Sequence, residues 1–274
     1  MKLIYATTAV LLTLTTTVTA KAETAEEALA LANKLHEERL AFPEEQTPES
    51  WSKMDESAAA ATRAFDLTSD NELKYDAKIL LSQIFYNKGS MLEVKAERLA
   101  AYDSAVEAAR GAQEVNPEYA DGYYYYSIAL ARWAETKGVL ESLKRKGELF
   151  ENLDKALEKF TKAGDLGEEI DGYGPNRTYG RVYFKLPGFA GGSNKKSLEY
   201  LETAINEAPE VALNIVYYVE TLYAGDSADK IKACAIIDDM LSKTPEEYNS
   251  ERLVPTKREF RTAEKLREKM KKCD

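Results

Sequence analysis

The sequence has few of the residue types on which most enzymes and metal sites depend. It contains one histidine and two cysteines among its 274 residues. The histidine, His36, has no cysteine or carboxylate at a spacing that would indicate a metal ligand or a catalytic partner. None of the common zinc, thiol-redox, nucleophile-elbow or phosphate-loop motifs occurs. We therefore expect a protein that is not an enzyme and that uses no cofactor or metal.

Glycine and proline are also scarce, at 14 and 8 residues, and no stretch alternates apolar and polar side chains as a half-buried strand does. Hydrophobic residues make up 44% of the chain, which is normal for a packed core. The formal net charge of −10 is spread over helix faces, and the basic residues between Lys257 and Lys272 are interleaved with acids. The composition therefore predicts an all-helical protein with no basic stripe for nucleic acid.

The beginning of the chain has the pattern of a cleavable secretory signal peptide. Lys2 precedes an apolar, threonine-rich run, and Ala20-Lys21-Ala22 forms a small-x-small cleavage site. This predicts that residues 1–22 are removed, that the mature protein begins near Glu23, and that it is periplasmic. No cysteine stands at the cleavage site to carry a lipoprotein anchor. The competing interpretation is an uncleaved membrane anchor.

A repeated helical motif organises the rest of the chain. In residues 172–209, two helical segments flank a loop rich in proline and glycine, and the second segment carries Ser197, Leu201 and Ala204 followed by Pro209. This small, large, small, proline pattern is typical of the second helix of a tetratricopeptide repeat. The other copies are Ala105, Ala109, Ala112 with Pro117; Ala156, Phe160, Ala163; and Ala233, Ile237, Met240 with Pro245.

Repetition of this motif predicts stacked helical hairpins, because a single hairpin cannot bury its own apolar face. We predict one all-α domain over residues 23–274. Its architecture would be an α-solenoid of about five tetratricopeptide-like helical hairpins. A C-terminal cap helix, beginning at Pro255, would close the solenoid with one apolar stripe and a charged back.

The same register predicts a binding groove, because the first helix of each hairpin lines the concave wall of such a solenoid. Taking Gly180 as a small packing residue, we predict the following groove residues: Tyr124, Ile128, Arg177, Arg181, Phe184, Ile215, Val219 and Leu222. Two guanidinium groups on an apolar wall would suit a small apolar or acidic ligand, or an acidic peptide segment. Alternatively, the two arginines pair with Glu168, Glu169 and Asp171 and only hold the hairpin together.

The two cysteines, Cys234 in the last repeat and Cys273 near the end of the chain, could form a disulfide in an oxidising compartment. Such a bond would fix the terminal helix to the solenoid. The alternative is that Cys234 is a small buried residue and Cys273 lies on a frayed end.

Residues 172–209 contain more specific features than a helical repeat requires. The segment resembles the TatT family of exported tetratricopeptide-like proteins, which are associated with tripartite ATP-independent periplasmic (TRAP) transporters. The resemblance rests on a glycine-proline pair before an arginine, a glycine in the first helix, a proline-glycine loop and the triplet helix. The matching positions are Gly174, Pro175, Arg177, Gly180, Pro187, Gly192, Leu201, Ala204 and Pro209. A departure is the absence of a lipoprotein cysteine.

The resemblance implies a non-catalytic transporter component that engages a periplasmic substrate-binding protein, a small organic ligand, or both. The residues alone indicate only a general periplasmic protein-interaction scaffold, which stays the alternative. Whether the chain forms a homo-oligomer is left open by both interpretations.

Overall fold

The structure, a computed structural model, describes residues 23–40, 47–138, 141, 143–162 and 172–273. The predicted signal peptide lies outside the described residues, as do Ala163 and the three acids proposed to pair with the arginines, Glu168, Glu169 and Asp171. Within the described ranges the chain forms helices, and none of these residues lies in a strand.

The α-helices are numbered here in chain order. They are α1 (Ala25–Leu40), α2 (Pro48–Leu67), α3 (Asn71–Met91), α4 (Lys95–Val115), α5 (Ala120–Lys137), α6 (Lys146–Lys162), α7 (Gly174–Lys185), α8 (Asn194–Glu207), α9 (Ala212–Tyr223), α10 (Ser227–Leu241), α11 (Pro245–Tyr248) and α12 (Leu253–Lys269). Short 3₁₀ helices occupy Leu143–Arg145, Gly188–Ala190 and Lys271–Cys273.

Several helices begin where a side chain satisfies the free backbone N–H groups of the first turn. The Thr47 hydroxyl accepts from the Ser50 N–H, and the Asp70 carboxylate accepts from the N–H groups of Glu72 and Leu73. Asp226 forms a reciprocal capping box at the start of α10. These caps fix the residues at which the three helices begin.

Each helix packs against the next, so α1–α2, α3–α4, α5–α6, α7–α8 and α9–α10 form successive antiparallel hairpins. Neighbouring hairpins also pack through α2–α3, α4–α5, α6–α7 and α8–α9. The chain is therefore an all-α solenoid of helical hairpins, and the predicted fold class is confirmed.

The triplet residues lie where the repeat pattern places them, between helices. Ala105, Ala109 and Ala112 are fully buried, and Ser197, Leu201 and Ala204 are fully buried too. At the crossing of α7 and α8, a Cβ on Gly180 would lie 2.4 Å from the Leu201 Cγ. Glycine is therefore required at position 180, because any side chain would push the two helices apart.

The C-terminal helix covers the last hairpin. Helix α12 packs on α9 and α10, burying Phe260 and Ala263 in the core that contains Ile237. A disulfide joins Cys234 of α10 to Cys273, with Cα atoms 5.4 Å apart and a sequence separation of 39. The cap helix is thus held covalently as well as by packing.

A search of the described part of the chain for membrane-spanning helices finds none with the required length and apolar character.

Candidate binding surface

The first helices of the hairpins bring a set of polar and aromatic side chains together with the cap helix. We call this set the inner cluster. Its members are Tyr86 and Asn87 from α3, Arg132 and Glu135 from α5, Arg181 and Lys185 from α7, Tyr217 and Glu220 from α9, and Arg258 from α12. Residues from both ends of the solenoid therefore meet on one surface.

Arg181 is at the centre of the ion pairs in the inner cluster. Its guanidinium pairs with Glu220, lies 3.4 Å from Glu135 Oε1 through Nε, and stacks 4.5 Å from the centroid of the Tyr217 ring. Lys185 Nζ approaches the other oxygen of Glu220 at 2.7 Å. Burial raises the pKa of Glu220, but Arg181 and Lys185 outweigh it and hold the pKa below its usual value.

Arg132 adds a second cation, close to the phenol of Tyr86. Its Nη1 lies 2.8 Å from Glu135 Oε2, and 32% of its side chain stays exposed. Burial raises the pKa of Tyr86 to about 12, although Arg132 and Arg258 act in the opposite direction. The phenol is therefore neutral and able to donate a hydrogen bond at physiological pH. Arg132 remains reachable from solvent and can accept a further anionic partner.

The two ends of the solenoid meet at Asn87. Its side-chain Oδ1 accepts a hydrogen bond from Arg258 Nη2 at 3.2 Å, and its Nδ2 lies 3.1 Å from His36 Nε2. Arg258 is 171 residues away in sequence. Burial, assisted by Arg258, lowers the pKa of His36 to about 4, so this imidazole is neutral at physiological pH. The hydrogen bond between Asn87 and Arg258 therefore joins α3 to α12 within the inner cluster.

Positive charge predominates in the inner cluster. Its cationic members are Arg132, Arg181, Arg258 and Lys185, against the carboxylates Glu135 and Glu220. The whole chain, by contrast, carries a formal net charge of −10. A local excess of cations on an acidic protein favours an anionic partner at this surface.

The prediction of the groove is wrong for four residues. Tyr124, Arg177, Val219 and Leu222 are buried between helices and do not face an open groove. Arg181 lies in the inner cluster, whereas Ile128, Phe184 and Ile215 are half-buried. Ile128 and Ile215 pack against the core, and Phe184 lies under the Lys185 ammonium, 4.8 Å from its ring centroid.

Arg177 shows why the predicted register failed. Its guanidinium donates to the Gly172 carbonyl at 3.1 Å, to Asn214 Oδ1 at 2.9 Å and to the Tyr124 hydroxyl at 3.2 Å. The position three residues before Gly180 therefore faces the neighbouring hairpins and not the interior of the solenoid. Arg177 therefore connects helices of different hairpins, and the three acids of the alternative lie outside the described residues.

Two of the residues that the groove prediction missed lie one position beyond the last position that it used on each first helix. Counted from the small buried residues Ser82, Ser127 and Gly180, the inner-cluster residues Tyr86 and Asn87, Arg132, and Lys185 come four or five positions later. The groove prediction used the positions three before, one after and four after the small packing residue of each helix. A register extended by one residue would have found Arg132 and Lys185.

A search of the described residues for groups of three or more potential metal ligands among His, Cys, Asp and Glu finds none. Neither a family model nor a curated protein matches the chain. Among solved structures, the chain is similar to a thermophilic tetratricopeptide-repeat protein of Thermus thermophilus. That match has a TM-score of 0.51 and 14% sequence identity, and it covers 89% of this chain and 100% of the other. The similarity shows that the two proteins share a helical-repeat fold.

Proposed function

We propose that this chain is a non-catalytic, exported helical-repeat scaffold whose inner cluster binds an acidic segment of a partner protein. The observation that carries the proposal is the excess of cations in the inner cluster on a protein that is otherwise acidic. A fold of stacked helical hairpins offers an extended concave surface for such binding.

The geometry of the inner cluster suits carboxylates in particular. Arginine presents several N–H groups in one plane and can bind a carboxylate through two parallel hydrogen bonds. The Tyr217 ring already stacks on Arg181 and fixes the orientation of its guanidinium. Glu135 and Glu220 already use some of the N–H groups of the arginines. A partner has to compete with these two carboxylates for the arginines, which favours a ligand with several carboxylates of its own.

Export is part of this proposal and is supported by two observations. Residues 1–22 have the pattern of a signal peptide. Disulfides persist in oxidising compartments such as the periplasm, and the structure joins Cys234 to Cys273. We therefore propose a periplasmic location.

A second candidate function is that of a TRAP transporter-associated component, which binds a substrate-binding protein or a small organic ligand. It is favoured by the resemblance of residues 172–209 to the TatT family. Several motif positions serve packing in this structure: Gly180 lies against Leu201, and a Cβ on Gly174 would lie 2.5 Å from the Tyr124 ring. The residue types at these positions are therefore explained by the packing of the hairpin, and they are weaker evidence for a transporter role.

A peptide array tests the main proposal. Overlapping peptides from the exported proteins of the source organism are probed with the purified protein and with an Arg132→Gln/Arg258→Gln variant. We expect the bound peptides to be rich in Asp and Glu, and to lose binding when these residues become Asn and Gln, when salt is raised, or with the variant. An Arg63→Gln variant, which removes an exposed ion pair with Glu23, should bind normally.

Binding that is equally strong for amide-substituted peptides, or unchanged in the double variant, would contradict the proposal. The transporter candidate is tested separately, by titrating the protein with the substrate-binding protein of a TRAP transporter from the same organism. Tight binding that survives the Arg132→Gln/Arg258→Gln exchange would favour that candidate and would place its interface elsewhere.

A further inference from the structure

A separate cavity of about 290 Å³ lies between α7 and α8. We call it the tyrosine groove. Its lining residues are Asn176, Tyr183, Lys196, Glu199, Tyr200 and Thr203. Asn176 and Tyr183 lie five residues before and two after Arg181, on roughly the opposite face of α7. The tyrosine groove is therefore distinct from the inner cluster.

Stacked aromatic rings form the wall of the tyrosine groove. The Tyr200 ring lies 4.6 Å from the Tyr179 ring and 5.8 Å from the Tyr183 ring, with interplanar angles of 11° and 16°. The phenol of Tyr179 is held in turn by a hydrogen bond to Asp154. Packing of this kind fixes the rings before any ligand arrives, which lowers the entropic cost of binding.

Asn176 gives the tyrosine groove a polar group that can pair with a ligand. Its side chain is only 8% exposed, and it lines the groove. Within the described part of the chain, no hydrogen bond to its amide is found. An amide both donates and accepts, so Asn176 can bind a ligand carboxylate or a ligand ammonium.

Two opposite charges, Lys196 and Glu199, line the tyrosine groove from α8. Lys196 and Glu199 are three residues apart, which brings their side chains to one side of the helix. The Lys196 ammonium lies 5.1 Å from the centroid of the Tyr183 ring. Among the described residues no carboxylate lies within ion-pair distance of it. Glu199 has only a long, exposed contact with Lys195, at 3.9 Å, and such pairs contribute little.

We propose that the tyrosine groove binds a small zwitterion, namely a free α-amino acid. The ligand carboxylate is bound by Lys196, the ligand ammonium is bound by Glu199, and Asn176 hydrogen-bonds between them. The ligand side chain contacts the tyrosine rings. Opposite charges that line one small cavity match a molecule that carries both charges, whereas a neutral sugar would leave both charges uncompensated.

Isothermal titration of the purified protein tests this proposal. The probes are L-leucine, L-glutamine and L-phenylalanine, their N-acetyl amides, and glucose. We expect at least one free amino acid to bind, and its N-acetyl amide and glucose not to bind. Lys196→Met and Glu199→Gln should each weaken binding about tenfold or more. The matched control is Lys195→Met, which removes the neighbouring lysine outside the cavity and should leave affinity within about twofold.

Three results would overturn the proposal. They are an absence of binding for all three amino acids, equal binding of the N-acetyl amides or glucose, and equal effects of Lys196→Met and Lys195→Met. Melting curves of the ligand-free variants are compared first. Lys196 and Glu199 lie on the outer part of α8, so we expect these curves to match the parent, and lost binding then reports on the site and not on unfolding.

Discussion

Replacement of Arg177 by glutamine should destabilise the solenoid strongly. The side chain is 3% exposed and belongs to α7, the first helix of the fourth hairpin. It donates to Tyr124 of α5 and to Asn214 of α9, which belong to the preceding and following hairpins. One guanidinium therefore connects three successive repeats. Glutamine is shorter and uncharged, so it cannot reach both partners.

The size of this effect follows from the kind of interaction that is lost. Hydrogen bonds that involve a charged group contribute about 1.5–3 kcal/mol each. The contributions are not additive, but the exchange also leaves the buried Asn214 oxygen and Tyr124 hydroxyl without their donor. Leaving a buried polar group unsatisfied typically costs about 1–3 kcal/mol, so the loss of these two partners should cost about 2–6 kcal/mol. We expect a loss in this range, which is a large part of the total stability of an ordinary domain.

Urea unfolding followed by circular dichroism measures the difference. The control is Arg63→Gln, in an exposed pair with Glu23. We expect this control to lose about 1 kcal/mol or less. Because repeat proteins can unfold in segments, the transition is also followed by hydrogen exchange in α5, α7 and α9. If Arg177→Gln unfolds at the same urea concentration as Arg63→Gln, the assignment of Arg177 as a connector of hairpins is wrong.

Three further predictions concern the core, the disulfide and the effect of pH. Leu201→Asp and Phe160→Asp should each lower the melting temperature strongly, because an unpaired charge would lie between helices; curves within about a degree of the parent would contradict the triplet register. Replacing Cys234 and Cys273 by serine should cost up to about 4 kcal/mol for a loop of 39 residues, measured as earlier urea unfolding and faster exchange in α12. His36 has its pKa lowered from 6.5 to about 4 in the folded state. On acidification, His36 is therefore protonated in the unfolded chain before it is protonated in the folded protein. The free energy of unfolding should fall as the pH drops from about 6.5 towards 4, by up to about 3 kcal/mol. In His36→Gln that part of the pH dependence should be absent. Identical stability–pH curves for the parent and the variant would refute the lowered pKa of His36.

The helices and their pairing could be predicted from the sequence because both depend on local, periodic signals. The triplet around Leu201 needs only the spacing of small and large residues on one helix face, and that spacing survives into the structure as buried positions. The helix starts at Pro48, Asn71 and Asn194 follow from capping by Thr47, Asp70 and Ser193, which acts over three or four residues. Such signals are independent of how the hairpins are arranged in space.

The binding surface was predicted poorly because it depends on the rotation of each first helix relative to its neighbours. A shift of one position moves a side chain by about 100° around the helix. Even residues on nearly the same face can differ: Arg177 is buried between hairpins, whereas Arg181, four residues further on, lies in the inner cluster. The partners of Arg177 lie 37 and 53 residues away in sequence. No periodic pattern records polar contacts of that range.

The inner cluster also depends on a helix whose position the repeat pattern does not determine. Arg258 lies near the start of α12, and the disulfide at Cys273 lies beyond its end. The contact of Arg258 with Asn87 therefore requires α12 to be docked along its length on α9 and α10. Because the disulfide holds one end of this helix, it lowers the entropic cost of the contact at the other end. The terminal helix thus covers the last hairpin and also contributes one of the four cations that make the inner surface attractive to an acidic partner.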